Sequence, residues 1–138
     1  MRLKLSAIIL LTTAALCYPQ ERHRSAIDLC VDELKVPAYP LLAWQAHLSG
    51  IAAITVGIGH GGKIDEVTVS GPHGVITQAA REAVMASKFS AHCNKTILQV
   101  VFDFQLVGPP GRYKQGDIYF RPPNIFIIRT NRPQMQGL

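Results

Sequence analysis

The stretch TILQVVFDFQL, residues 96–106, alternates. Leu98, Val100, Phe102, Phe104 and Leu106 face one way, and Gln99, Asp103 and Gln105 the other. A period of two is the signature of a strand, and an apolar face this long needs something packed on it. The strand's edge is a second constraint. It presents a row of N–H and C=O groups that must be paired, covered or used. The rest of the chain has to supply cover for both.

Residues 51–58 alternate in the same way, with Ala52, Ile54, Val56 and Ile58 on one face. Residues 64–70 do so again through Val67 and Val69. Between them His60-Gly61-Gly62 reads as a hairpin turn that uses glycine for positive φ. Residues 75–88 are periodic at helical spacing, with Ile76, Ala79, Ala80, Ala83 and Val84 in one stripe and Phe89 just beyond. Ser25 and Asp28 form a capping pattern for a helix running to about Lys35, before Pro37. A short apolar helix over 41–48 ends near Gly50. Gly108-Pro109-Pro110-Gly111 breaks the long strand, and residues 125–129 form one more β-like run.

The expected fold is α+β. It is a three-stranded antiparallel sheet in the order 2-1-3, with helices on one face and an extended C-terminal tail. Gly57-x-Gly59-x-x-Gly62 has dinucleotide-fingerprint spacing, and Glu82 follows at a suitable distance. That fingerprint requires a helix after the last glycine. A strand follows here, and Glu82 falls inside a helix, so the match is incidental.

The N-terminus reads as an export signal. Arg2 and Lys4 precede an apolar run over 5–17, shorter than the ~20 residues that span a bilayer. Ala15 and Cys17 stand at the −3 and −1 positions of a cleavage site before Tyr18. A lipid anchor at Cys17 is the alternative, against which Leu16 argues; a retained short anchor is the third. Cleavage removes two of fourteen basic residues against nine acidic ones, so the +5 of the whole chain becomes +3. The basic residues Arg112, Lys114, Arg121, Arg129 and Arg132 face only Asp117, so the tail is the basic part. They make no dense patch, and aromatics do not interleave with bases as on a nucleic-acid platform. Peripheral association with lipid headgroups stays open, and nucleic acid is not an expected partner. Export leaves Cys30 and Cys93, read first as a disulfide and otherwise as two buried thiols. The expected organisation is a signal over 1–17, a helical segment over 18–35, a domain over 36–107 and a basic tail over 108–138.

Tyr39-Pro40, Ala43, Gly50, Gly61-Gly62, Ser70-Gly71, Ala79-Ala80, Ala83-Val84, Phe89 and Phe102-Asp103-Phe104 follow in order. In order and spacing, over about 36–107, they resemble the TonB C-terminal domain family. The chain departs from the family pattern at Trp44, where Arg is common, at Gly61 in place of the turn Asp, at Ser87 in place of Trp, and at Ala91 in place of Pro. It carries neither the transmembrane anchor nor the proline-rich spacer of a full transducer, so force transmission is not expected.

The resemblance implies a non-catalytic, periplasmic or secreted module that binds an extended peptide, such as a segment of an outer-membrane transporter, by strand addition. The implied edge is that of residues 96–106, which puts Ile97, Gln99, Val101 and Asp103 at the partner strand, with Tyr39 and Pro40 beside them. Three occupants stay open: a partner's peptide, a second copy in an edge-to-edge homodimer, or the chain's own run over 125–129. In the last case Tyr39 and Pro40 simply cap the core. The competing reading is a small exported metal-binding protein or enzyme using surface histidines. His23, His47, His60, His73 and His92 include no pair at i, i+4 and no H-E-x-x-H, so no metal or cofactor is expected. Ser70-Gly71 lacks a nucleophile elbow.

Overall fold

The structure, a computed structural model, describes residues 25–135. The expected export signal and Cys17 lie outside them. The first described element is α1 (Ala26–Cys30). The Ser25 side chain accepts from the Asp28 N–H at 3.3 Å, and the Asp28 carboxylate accepts from the Ser25 N–H at 3.2 Å. The capping box therefore forms, but the helix does not continue to Lys35. The chain turns at once into β1 (Val31–Glu33), which pairs antiparallel with β4 (Lys88–Phe89) beyond the next long helix. The Lys35 N–H donates to Ser87 Oγ at 2.9 Å, and the Ser90 N–H donates to the Cys30 carbonyl at 2.9 Å. Long-range bonds thus outweigh the helical propensity of this segment. Cys30 and Cys93 are joined by a disulfide across a sequence separation of 63. In the chain-entropy account such a loop contributes on the order of 4 kcal/mol. Glu33 lies between Lys35 and Lys88. The hydrogen bond and charge of Lys35, and then those of Lys88, hold its carboxyl below the usual range.

The second helix, α2 (Leu41–Gln45), is shorter than expected. It ends in a Schellman motif: the Leu48 N–H donates to the Ala43 carbonyl at 2.8 Å and the His47 N–H to the Trp44 carbonyl at 3.1 Å. His47, at φ 57, is the left-handed residue of that motif, not Gly50. Gly50 serves the next strand instead. It has φ 151, and a Cβ there would meet Pro72 Cγ at 2.7 Å.

The sheet is five-stranded and mixed, which corrects the expected three-stranded antiparallel one. Its strands are β2 (Gly50–Ile58), β3 (Ile64–Ser70), β5 (Thr96–Gly111), β6 (Asp117–Arg121) and β7 (Ile125–Pro133). Their order is β3-β2-β5-β7-β6. The β3-β2-β5 part has the expected arrangement, antiparallel throughout, with Val56 opposite Val67 and Ile54 opposite Val100. The additions are β7, which runs parallel to β5, and β6, which folds back antiparallel on β7. The glycine-proline run does not end β5. The strand shifts register between Val107 and Gly111, with Gly108 at φ 76, and pairs again at Gly111 with Pro133. The turn from β2 to β3 uses Gly61 at φ 69 and Gly62 at φ 79, as its sequence requires.

The core lies between the sheet and α3 (Gly74–Met85). The helix stops short of Lys88, because Lys88 and Phe89 belong to β4. Ile76, Ala80 and Val84 from the helix meet Ala52, Ile54, Val56 and Ile58 from β2, and Leu98, Val100, Phe102 and Phe104 from β5. Ile128 of β7 is fully buried in the same cluster. At ~25 cal/mol per Å² of apolar surface, a fully buried isoleucine stabilises by about 1.5–3 kcal/mol. The tail hairpin is thus part of the core.

Candidate functional site

The expected site was the outer edge of β5. The Val101 N–H donates to the Asn124 carbonyl at 3.0 Å. From there Val101 stands opposite Ile125 and Asp103 opposite Ile127, so β7 closes that edge. Of the three occupants left open, the chain's own tail takes it. The start of β5 stays outside the pairing, as do residues 108–110 at the register shift. Ile97 is 73% exposed, and the Gln99 carbonyl accepts from the Asn124 side-chain amide at 3.0 Å.

Tyr39 is buried against Phe104, with ring centroids 5.5 Å apart in an edge-on arrangement. Its hydroxyl donates to the Leu48 carbonyl. Burial pushes its pKa up to about 12. Its backbone holds the tail: the Tyr39 N–H donates to the Gln115 carbonyl at 2.8 Å, and the Tyr113 hydroxyl donates to the Tyr39 carbonyl at 2.6 Å. Pro40 is the N-cap of α2 and is half-buried. Trp44 adds another stitch, donating from its indole N–H to the Asn131 carbonyl at 2.7 Å and standing edge-on to Tyr113 at 5.5 Å. Tyr39 and Pro40 lie beside the closed edge and help to keep it closed.

Closing one edge exposes another. Alternation along the strands shows which backbone groups remain outside. Because Val101 bonds Asn124, the backbones of Phe126 and Ile128 turn toward β5, and those of Ile125, Ile127 and Arg129 turn toward β6. Their partners there are Arg121, Tyr119 and Asp117. The N–H and C=O groups of Ile118 and Phe120 therefore face outward.

The side chains of β6 are exposed on both faces: Ile118 by 53%, Tyr119 by 47% and Phe120 by 47%. Phe120 stacks on Phe126 at 4.8 Å, and Phe126 lies 5.9 Å from Phe102, so the apolar face of the core continues outward to β6. On the other face the Arg129 guanidinium lies 5.0 Å over the Tyr119 ring, and its Nε donates to Gln105 at 3.1 Å.

β6 is absent from the elements expected from sequence. The signal was there: Ile118, Tyr119 and Phe120 are strong strand formers between Gly116 and Pro122. Among the described residues no group of three His, Cys, Asp or Glu side chains is placed to hold a metal ion. Among them, too, no helix is long and apolar enough to cross a membrane.

The family model of the Gram-negative bacterial TonB protein C-terminus matches residues 35–106. No curated protein matches the chain. The matched region runs from just before the Tyr39-Pro40 turn through the alternating part of β5, and β6 and β7 lie beyond it. Domains of this family are non-catalytic interaction modules of the bacterial envelope that bind outer-membrane transporters. Over just more than half of its length, in α2, α3 and the β3-β2-β5 sheet, this chain belongs to the TonB C-terminal domain family.

Proposed function

We propose that the protein is an exported, non-catalytic module that recognises an extended protein segment by strand addition at the edge of β6. The observation that carries this reading is the set of outward N–H and C=O groups on Ile118 and Phe120, flanked by exposed apolar side chains. Such an edge supplies affinity through backbone bonds and selectivity through alternate side chains. Tyr39, Pro40, Ile97, Gln99, Val101 and Asp103, first expected to meet the partner, act one strand removed. They anchor or border the tail hairpin that carries β6. Export by cleavage before Tyr18 is part of the reading, and N-terminal sequencing of the secreted chain tests it.

The partner class is an extended, periplasm-facing segment of an outer-membrane transporter, in keeping with the family. Synthetic peptides of such segments, titrated into isotope-labelled mature protein, should shift the amide resonances of Ile118 and Phe120. Ile118→Pro should remove the response, because that N–H makes no bond to β7 and proline is tolerated where a strand's N–H faces solvent. Saturable binding with the shifts confined to β3 would overturn the reading.

A further inference from the structure

Asp117 and Arg129 stand opposite one another on β6 and β7, a register in which opposite charges stabilise a hairpin by pairing. These two do not pair. The ion pairs among the described residues are those of Glu33 with Lys35 and Lys88. Arg129 is engaged elsewhere. Its Nε donates to Gln105 at 3.1 Å, and its guanidinium lies 5.0 Å over the Tyr119 ring. Gln105 in turn donates to Asp103 at 2.8 Å, which fixes its orientation. None of the described residues accepts from Nη1 or Nη2 of Arg129, so the fork that binds a carboxylate in two-point fashion is held in place and left free.

Both unpaired charges border a concavity of about 450 Å³ between β7 and the segment leading into β6. Lys114, Tyr119, Thr130 and Val107 line it too. Its outer wall is tied down. The Lys114 carbonyl accepts from the Thr130 hydroxyl at 2.9 Å, and the Gln115 carbonyl from the Tyr39 N–H at 2.8 Å. Gly116, at φ 102, presses so closely on β7 that a Cβ there would meet Ile128 Cγ2 at 3.1 Å and the Arg129 carbonyl oxygen at 3.2 Å. Glycine suits both the angle and the approach. The hollow is therefore preformed, and it lies at the small end of the range for ligand sites. It offers a guanidinium fork and an ammonium, a carboxylate, and the apolar surfaces of Val107 and Tyr119. A simple anion is repelled by Asp117, and a simple cation by Arg129 and Lys114. A molecule that carries both charges satisfies all three.

From this held-open pair we infer a binding site for a small zwitterion, a free amino acid or a dipeptide. Its carboxylate takes the Arg129 fork with Lys114 beside it, its ammonium takes Asp117, and its apolar side chain lies against Val107 and Tyr119. Gln105 is a positioning residue, acting through Arg129. The site does not use the outward backbone groups of Ile118 and Phe120, so the inference stands apart from the strand-addition reading.

Magnetic-resonance titration of the isotope-labelled mature protein tests it. The probes are L-leucine, the dipeptide leucyl-leucine, isocaproate, which is leucine without its ammonium, and isoamylamine, which is leucine without its carboxylate. Leucine or the dipeptide should shift the Arg129 Nε–H resonance and the Gln115 and Gly116 amides to saturation. Isocaproate and isoamylamine should each bind about ten-fold more weakly than leucine, the effect of losing one partly exposed charge-assisted pair. Arg129→Lys, which keeps the charge without the fork, should weaken leucine binding, and Arg129→Gln should abolish it. In Asp117→Asn, leucine should fall to the affinity of isocaproate, while isocaproate binds no more weakly than to the wild type. A merely structural role for Asp117 would weaken both alike, and that result overturns its part in the site. Isocaproate that binds the wild type as tightly as leucine overturns the zwitterion. No saturable shift with either leucine or the dipeptide, or shifts that survive Arg129→Gln, overturns the site.

Discussion

The two outer strands of the sheet treat their edges in opposite ways. β3 carries Asp65, Glu66, Thr68 and Ser70, and its apolar residues Ile64, Val67 and Val69 pack against the core. Charges of this kind discourage edge-to-edge pairing. β6 presents Ile118, Tyr119 and Phe120 to solvent, with charges only at its ends. Both strands have outward backbone groups, on Val67 and Val69 in one and on Ile118 and Phe120 in the other. One edge is defended and the other is left usable. A sheet can thus be extended beyond its family framework to close one edge and leave an apolar one on the strand that was added.

The severest way to break this comparison is to remove the added strands. A chain cut after Gly111 loses Ile128 from the core and bares the edge of β5 from Val101 onward. It should aggregate or fail to accumulate as a monomer, visible by size-exclusion chromatography. Next in size is the staple. Cys30→Ser should destabilise the mature protein by ~2–5 kcal/mol in denaturant titrations. Because the disulfide joins the end of α1 to the turn before β5, outside the β6–β7 hairpin, partner binding below the melting point should be unchanged.

A paired substitution sharpens the contrast with a smaller effect on the fold. Ile118→Pro should abolish binding at β6 while thermal unfolding shows an intact domain. Val67→Pro, which removes the corresponding outward donor on β3, should cost some packing and leave binding in place.

The smallest effect concerns pH. The Tyr39 pKa is raised to about 12 from an ordinary value of 10.0 because burial disfavours the phenolate. The folded state therefore holds this proton more tightly than the unfolded chain. Its stability should be intact below pH ~10 and fall as pH rises toward ~12. Tyr39→Phe should flatten that part of the profile and cost about 1 kcal/mol below it, for the lost hydrogen bond to Leu48.

The parts of this fold that sequence reveals are those written locally. The alternation of β2 and β5, the stripe of α3, the glycine turn at Gly61 and Gly62, and the cap at Ser25 all depend on neighbours a few residues away. What escaped is set at long range. Residues 31–33 look helical and become a strand because Lys88 and Phe89 lie ready to pair. The run through Pro109 and Pro110 looks like a break and stays extended, and the strand pairs again at Gly111 with Pro133. The parallel seam of β5 and β7 has no local signature, since no turn joins the two strands directly. Without that seam the outer edge of β5 looks open, and β6 has no neighbour to be placed against.

The central claim is that an extended segment adds to β6, and amide hydrogen exchange reads it residue by residue. In the free protein the amides of Ile118 and Phe120 should exchange freely, while that of Tyr119, bonded to β7, is protected. On addition of a transporter segment, Ile118 and Phe120 should become protected and Val67 and Val69 should not change. Protection that appears on Val67 and Val69 instead, with Ile118 and Phe120 still exchanging freely in the bound state, would contradict the account.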